Sequence, residues 1–114
     1  MSLAHPELLQ GTLELLVLKT LSIEPMHGWG IAQRIQAMSK DTFLVHQGSL
    51  YPALQRMRRR GWVKPEWRVT ENNRRARYYL LTPAGEKELG AQIEAWKRAA
   101  LAMEWVIDWQ AAPA

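Results

Sequence analysis

The sequence has no cysteine among its 114 residues. This excludes a disulfide-stabilised scaffold, a thiolate metal site and a cysteine nucleophile, and it fits a reducing compartment. Long apolar runs are also missing. Leu13–Leu18 is interrupted by Glu14 and followed by Lys19, far short of the roughly 20 apolar residues that span a bilayer. Met1–His5 lacks the basic and apolar regions of a signal peptide. We therefore expect a cytoplasmic protein with no membrane segment.

Motifs of enzymes and cofactor sites are absent as well. The sequence contains no glycine-rich phosphate loop, no nucleophile elbow and no cluster of metal ligands. Its three histidines, His5, His27 and His46, form no i,i+4 pair, which argues against a metal site. We therefore expect a protein that is not an enzyme and that binds neither a metal nor another cofactor.

Positive charge is concentrated in one segment, although the formal net charge is only +4. Residues 55–80 hold nine basic residues against two acidic ones, a local charge of +7, whereas the flanking segments sum to −1 and −2. The nine are Arg56, Arg58, Arg59, Arg60, Lys64, Arg68, Arg74, Arg75 and Arg77. Runs of charge often lie on solvated surfaces, but a block of this kind is also what neutralises nucleic-acid phosphates.

Helical periodicity fills the first half of the chain. Apolar residues recur at 3.6-residue spacing from Pro6 to about Leu21, and again from about Gly28 to Ser39, with Ser22–His27 as a connector. A third helix is predicted from Ser49 to Arg60. Its expected boundaries are Ser49 as N-cap, Pro52 within the first turn and Gly61 as the left-handed stop.

The third predicted helix has two different faces. At 100° per residue, one arc is apolar and the opposite arc is aromatic and basic. The apolar arc comprises Leu50, Ala53, Leu54 and Met57; the opposite arc comprises Tyr51, Gln55 and Arg58, flanked by Pro52 and Arg59. The first face is predicted to be core, and the second to face outward.

After Gly61 the period changes from 3.6 to 2, which predicts a β-hairpin. Val63 to Val69 alternate in character, and Pro65 indicates an edge strand because proline cannot donate to a ladder. Thr70–Arg75 has the turn residues of a hairpin tip, and Arg77–Leu81 returns as the second strand.

A long last helix is predicted from Pro83 to about Gln110, with Thr82 as its N-cap. It would be about 42 Å long, which is more than so small a domain can cover, so we expect it to pack against a second copy of the chain. Its heptad-like seam consists of Leu89, Ile93, Trp96, Ala100, Met103 and Ile107. Trp105 and Trp109 add further apolar surface.

The order of these elements is that of a winged helix-turn-helix. We expect a mainly α protein with a small β-hairpin, in which residues 1–82 form a DNA-binding domain and residues 83–114 a dimerisation helix. In such domains the third helix enters the major groove, and the hairpin tip reaches the neighbouring backbone or minor groove. The expected partners are double-stranded DNA with a two-fold symmetric operator and a second copy of the chain.

Three motifs resemble the family of PadR-type transcriptional regulators. They are Met26–Trp29, Gly48–Leu54 with Gly61–Val63, and Arg74–Gly85. The resemblance covers about Leu8 to Ile107 and is closest to the short subgroup, which dimerises through a single C-terminal helix. It implies a repressor that small, often aromatic, effectors release from DNA.

The resemblance also implies roles for particular residues. Ser49 and Tyr51 match DNA-contacting positions at the start of the recognition helix, and the family's basic wing matches Arg74, Arg75 and Arg77. Together with the outward arc, the predicted DNA-binding residues are Ser49, Tyr51, Gln55, Arg58, Arg59, Arg74 and Arg75. Trp96 falls where some relatives hold flat aromatic ligands between paired tryptophans. Trp29 and Gly30 depart from the family pattern, which predicts a strained or tightly packed start of the second helix.

Other interpretations remain open at this point. Tyr51 could be an ordinary surface tyrosine, Arg77 could serve the sheet, and Trp96 could be dimer core without any ligand. The whole chain could also be a winged-helix module that binds another protein instead of an operator. The nine cations in 26 residues favour DNA.

Overall fold

The structure is a computed structural model that describes residues 6–113, with side chains described from residue 11 onward. The helices are α1 (Pro6–Ile23), α2 (Gly28–Met38), α3 (Gln47–Arg59) and α4 (Pro83–Ile107); the strands are β1 (Met26–His27), β2 (Val63–Val69) and β3 (Arg75–Leu81). The mainly α fold with a small β element is confirmed, in the predicted order. His5 lies outside the described residues. None of the helices described is long and apolar enough to cross a membrane.

The core lies where α1, α2 and α3 meet the inner part of the sheet. The four residues of the predicted apolar arc of α3 are all fully buried, which confirms that face. They pack with residues from the other elements: Leu13, Val17, Leu18, Leu21, Ile31, Ala32, Ile35, Val63 and Tyr79. The one buried polar side chain described in this core is Thr20, whose Oγ1 donates to the Leu16 carbonyl at 2.8 Å.

The predicted start of α3 is wrong by about half a turn. The helix begins at Gln47 with His46 as its N-cap, and no side chain closes that cap. The first intrahelical bonds end on the His46 carbonyl, from the amides of Ser49 and Leu50, both at 3.0 Å. Ser49 is therefore the third helical residue, and Pro52 is the sixth, beyond the first turn. Pro52 is exposed, and at this position it leaves the Gly48 carbonyl without a helical N–H partner.

The predicted end of α3 is confirmed. Gly61 has φ 77°, the left-handed conformation that glycine adopts without strain. Its amide donates to the Arg58 carbonyl at 2.9 Å, and the next amide, of Trp62, donates to Met57 at 3.0 Å. This pair of bonds is a Schellman motif, which satisfies the last carbonyls of α3 and turns the chain into β2.

The sheet has three antiparallel strands in the order β1-β3-β2. The predicted hairpin pairs Val63 with Leu81 at its base and Val69 with Arg75 at its tip. Pro65 lies on an edge strand, as expected. The predicted connector before α2 contains the additional strand β1, whose two residues pair with Tyr79 and Tyr78.

Helix α4 starts as predicted, and its later turns extend away from the rest of the protein. The Thr82 hydroxyl accepts from the Gly85 amide at 3.0 Å and donates to the Gly61 carbonyl at 2.6 Å, which ties the helix to the end of α3. The first turns contact α1 and β3. Beyond Ile93 almost every residue is exposed, and the chain is elongated, at 69 × 28 × 21 Å. The helix ends at Ile107, three residues before the predicted Gln110.

Candidate nucleic-acid interface

A cleft of about 630 Å³ separates the outer face of α3 from the hairpin formed by β2 and β3. Its walls combine aromatic, polar and cationic side chains from three elements. They include Tyr51 and Gln55 of α3, Trp29 of α2, and Trp67, Arg75 and Arg77 of the hairpin. The predicted outward face of the third helix and the predicted basic wing are therefore opposite walls of one cleft.

Tyr51 is held in this cleft by contact with the start of α2. Its side chain is 47% exposed, whereas Gly28 beneath it is buried. A Cβ atom on Gly28 would lie 2.7 Å from the Tyr51 Oη atom and 2.9 Å from its Cζ atom. The absence of a side chain at residue 28 therefore lets the tyrosine ring lie directly on the α2 backbone, with its edge still open to solvent.

The start of α2 is packed tightly, one of the two alternatives predicted there. The His27 Nδ1 atom accepts from the Gly30 amide at 3.0 Å and so caps the helix. A Cβ atom on Gly30 would overlap the Met26 side chain. The Trp29 side chain is 60% exposed and is stacked on His27, with ring centroids 6.3 Å apart. A large aromatic surface therefore faces solvent beside the cleft.

The hairpin face that covers the core continues outward into the cleft. Val63 and Tyr79 on this face are buried, but Trp67 and Val69 further along it are 59% and 61% exposed. The guanidinium carbon of Arg75 lies 5.0 Å from the centroid of the Trp67 ring. The outer half of the face is thus an exposed aliphatic and aromatic surface carrying an arginine.

A compact turn holds the hairpin tip. The Asn73 amide donates to the Thr70 carbonyl at 2.9 Å, and Asn73 has φ 59°, in the left-handed region that asparagine tolerates. The Thr70 amide donates to the Arg74 carbonyl at 2.7 Å. The Thr70 hydroxyl accepts from the Arg74 amide at 3.2 Å. Arg74 therefore leaves the turn from a fixed backbone position, with its side chain exposed.

The basic block predicted from sequence divides into paired and unpaired cations. Arg56 and Arg60 both contact the Glu14 carboxylate of α1, at 2.9 and 3.2 Å. Arg68 pairs with Glu66 at 3.3 Å. Within the part of the chain that the structure describes, Arg58, Arg59, Arg74 and Arg75 are exposed and form no such pair. Fewer cations of the block are therefore available to a ligand than its sequence charge indicates. Arg56 points toward α1.

The structure brings together four of the seven predicted DNA-binding residues. Tyr51, Gln55, Arg74 and Arg75 line the cleft, whereas Ser49, Arg58 and Arg59 do not. Ser49 is half-buried in the first turn of α3, and the two arginines are exposed at its far end. Sequence reasoning missed Trp29 and Trp67. The alternation of β2 could have indicated Trp67, because it places the indole on the same face as Val63.

The predicted dimer seam lies along α4, and its later residues extend beyond the core together with the helix. Leu89, Ile93 and Ala100 are half-buried, whereas Trp96, Met103 and Ile107 are 55%, 62% and 73% exposed. Two shallow apolar hollows lie beyond Trp96, one beside Met103 and one beside Trp105 and Trp109. Trp96 lines neither of these two hollows. Among residues 11–113, no three His, Asp or Glu side chains lie close enough to hold a metal ion.

Comparison with known proteins gives one family and one fold. The family model of the PadR-like transcriptional regulators matches residues 17–91. A PadR-like transcriptional regulator from Bacillus cereus is 23% identical, with a TM-score of 0.78 over 91% of this chain and 99% of that one. A Streptococcus transcriptional regulator is 23% identical, with a TM-score of 0.79 over 91% and 100%. A PadR-like transcription factor from Bacteroides fragilis is 27% identical, with a TM-score of 0.71 over 88% and 94%.

Proposed function

Since the chain belongs to the PadR-like family of transcriptional regulators, we propose that it is a sequence-specific DNA-binding repressor. The observation that carries this proposal is the cleft, where the outer face of α3 meets exposed hairpin arginines that have no acidic partner among the described residues. Cations left without an acidic partner can neutralise phosphates at little desolvation penalty. The basic block favours this function over that of a protein-interaction module.

In this proposal α3 occupies the major groove and the hairpin contacts the flanking backbone. Tyr51 and Gln55 present polar groups to base edges from the centre of the exposed face. Ser49, Arg58 and Arg59 lie at the two ends of the same helix and would contact phosphates or bases there. Arg74 and Arg75 contact the DNA from the hairpin. Residues 1–82 then form the DNA-binding unit.

We assign residues 83–114 to dimerisation through α4. The seam consists of Leu89, Ile93, Trp96, Ala100, Met103 and Ile107, of which Trp96, Met103 and Ile107 are exposed. Large apolar side chains on a helix that extends beyond its own core are stabilised when a second copy covers them. A homodimer would present two recognition helices to a two-fold symmetric operator.

A small aromatic effector bound near Trp96 would act through this dimer. Because the Trp96 side chain is 55% exposed on the part of α4 that extends beyond the core, the pocket would form between the two α4 helices. A flat ligand stacked between paired indoles would alter the separation of the recognition helices, which releases the operator.

The proposal is tested by selecting bound sequences from random duplex DNA at low salt. A two-fold symmetric consensus is expected, and failure to enrich any duplex would contradict the proposal and favour the protein-interaction module. Tyr51→Ala should weaken binding to the selected operator by about tenfold, as expected for a lost base contact, and bulk DNA by much less. Gln33→Ala, at an exposed position of α2 that does not line the cleft, is the matched control.

A further inference from the structure

Trp67 is an exposed indole for which the fold provides no packing role. The residue stands at the fifth position of β2, and 59% of its surface is accessible. It is far in sequence from the α4 seam that we assign to dimerisation, and it lines the cleft opposite Tyr51. An indole in contact with water contributes little to folding stability through burial, and exposed apolar surface beside a cleft marks a candidate binding site.

Register explains how Trp67 contacts Arg75. Trp67 pairs with Arg77 and Val69 pairs with Arg75, so Trp67 and Arg75 are diagonal neighbours on one face of the hairpin. The distance of 5.0 Å from the guanidinium carbon to the ring centroid is within the range of a cation–π contact. A stacked guanidinium keeps its N–H donors free at its edges. The indole thus restricts the long Arg75 side chain before any ligand binds.

The ligand that fits this stacked pair is the minor groove of DNA. When α3 lies in the major groove, the hairpin of a winged domain faces the adjacent backbone and minor groove. That groove is about 6 Å wide in B-DNA, which admits one flat guanidinium more readily than a two-stranded hairpin. Over A·T-rich steps it is narrower and more negative, and it lacks the 2-amino group that guanine places there.

We propose that Arg75, positioned by Trp67, reads the minor groove beside the recognition helix and favours base pairs that lack the guanine 2-amino group. The inference rests on the proposed DNA-binding function and adds a determinant of specificity to it. Arg75 is the contacting residue. Trp67 is a positioning residue, since it acts by limiting the conformations of Arg75.

The hairpin contains its own matched control on the opposite face. Arg68 lies 5.6 Å from the ring centroid of Tyr78 and is a diagonal neighbour of it in the register. In this second cation–π pair, Arg68 also contacts the Glu66 carboxylate at 3.3 Å. Arg68 does not line the cleft beside Tyr51. Arg68→Lys therefore weakens the same kind of contact without touching the proposed groove contact.

The experiment compares three short duplexes of equal length and charge, made of A·T, inosine·C or G·C pairs. Inosine·C presents the major-groove edge of G·C but the minor groove of A·T, since inosine lacks the 2-amino group. By fluorescence anisotropy, the unmodified protein should bind inosine·C roughly tenfold more tightly than G·C. Arg75→Lys should abolish most of this preference because lysine keeps the charge but loses the planar fork.

Variants at Trp67 test the positioning role. Trp67→Phe keeps an aromatic face and should retain most of the preference, whereas Trp67→Ala should reduce it to about twofold or less. Arg68→Lys should leave it unchanged. Thermal unfolding checks that each variant is folded. If Trp67→Ala does not fold, Trp67→Phe and Arg75→Lys still test the proposal.

The outcomes separate this inference from the function on which it rests. Failure to bind these duplexes together with failure to enrich any sequence from random DNA would overturn the proposed DNA-binding function itself. Equal affinity for inosine·C and G·C would overturn the minor-groove contact and leave DNA binding intact. A preference that survives in Arg75→Lys would overturn the role of Arg75. A loss of preference in Arg68→Lys as large as in Trp67→Ala would overturn the positioning role of Trp67.

Discussion

A methyl group at residue 28 should reduce DNA binding while leaving the protein folded. In Gly28→Ala, the new Cβ atom would lie 2.7 Å from the Tyr51 Oη atom, whereas ordinary contact begins at 3.4 Å. The ring must therefore shift by several tenths of an ångström. Because Tyr51 is 47% exposed, it can move outward into solvent instead of displacing the core. The substitution thus changes the position of one proposed base-contacting residue.

The stability effect of this substitution should be small. Gly28 is the first residue of α2 and does not have a positive φ, so the backbone accepts alanine there without strain. Alanine is favoured over glycine by up to about 1 kcal/mol within a helix, and by less in the first turn. This gain offsets part of the energy of moving the ring. We expect the free energy of unfolding to stay within about 1 kcal/mol of the original value.

The effect on operator affinity should be larger than the effect on stability. If the displaced Tyr51 no longer contacts the operator, affinity should fall by about tenfold, equivalent to about 1.4 kcal/mol. Denaturant unfolding followed by circular dichroism gives the stability, and fluorescence anisotropy with the selected operator gives the affinity. Gly11→Ala, where a Cβ atom meets nothing within 4 Å, is the control and should leave affinity unchanged.

A double-mutant cycle shows whether the effect passes through the ring. In a Tyr51→Ala background, Gly28→Ala should have almost no further effect on affinity, because the clashing group is gone. Additive losses at the two positions would refute the reasoning. A loss of stability above about 3 kcal/mol in Gly28→Ala would also refute it, because such a value indicates a clash with packed core.

Two further predictions concern stability alone. Gly85→Ala should destabilise the protein by about 3 kcal/mol or more, since a Cβ atom there overlaps the Trp62 backbone carbonyl, which cannot move aside easily. Gly90→Ala, on the same helix with nothing within 4 Å, should stabilise it by up to about 1 kcal/mol, and denaturant titration of both variants compares them directly. Glu14→Gln removes the carboxylate shared by two half-exposed arginines and should lower stability by about 1 kcal/mol at low salt, with the difference shrinking as salt rises. A loss independent of salt would show that packing, and not charge, accounts for it.

Periodicity predicted the fold of this chain closely because α1, α2 and α3 each bury one regular stripe. The apolar arc of α3 is fully buried, and the alternation after Gly61 predicted the hairpin and the edge position of Pro65. These features are visible in sequence patterns that repeat every two to four residues. The strand β1 could not be predicted in this way, because a two-residue strand has no period and exists only through its pairing with β3.

The start of α3 was misplaced for a different reason. Serine favours the N-cap position, and Ser49 stands just before the apolar arc, so the local preference and the pattern agreed on the wrong residue. The structure extends the helix to Gln47 because the carbonyl of His46, not that of Ser49, accepts the first helical bonds. A capping preference of this kind is about 1 kcal/mol, which the packing of a neighbouring turn easily outweighs.

The proposed interface illustrates why a local charge count overstates a binding surface. Of the nine cations in residues 55–80, three contact acidic side chains, and two of these are held by one carboxylate from α1. Glu14 is separated from Arg56 and Arg60 by more than 40 residues, so no window of sequence could show the pairing. The Glu14 carboxylate holds Arg56 and Arg60 on the α1 side of α3, whereas the arginines that line the cleft keep no such acidic partner among the described residues. In this interpretation the fold uses part of the basic block for its own packing, and the residual charge on the hairpin and at the end of α3 sets the orientation in which DNA can approach.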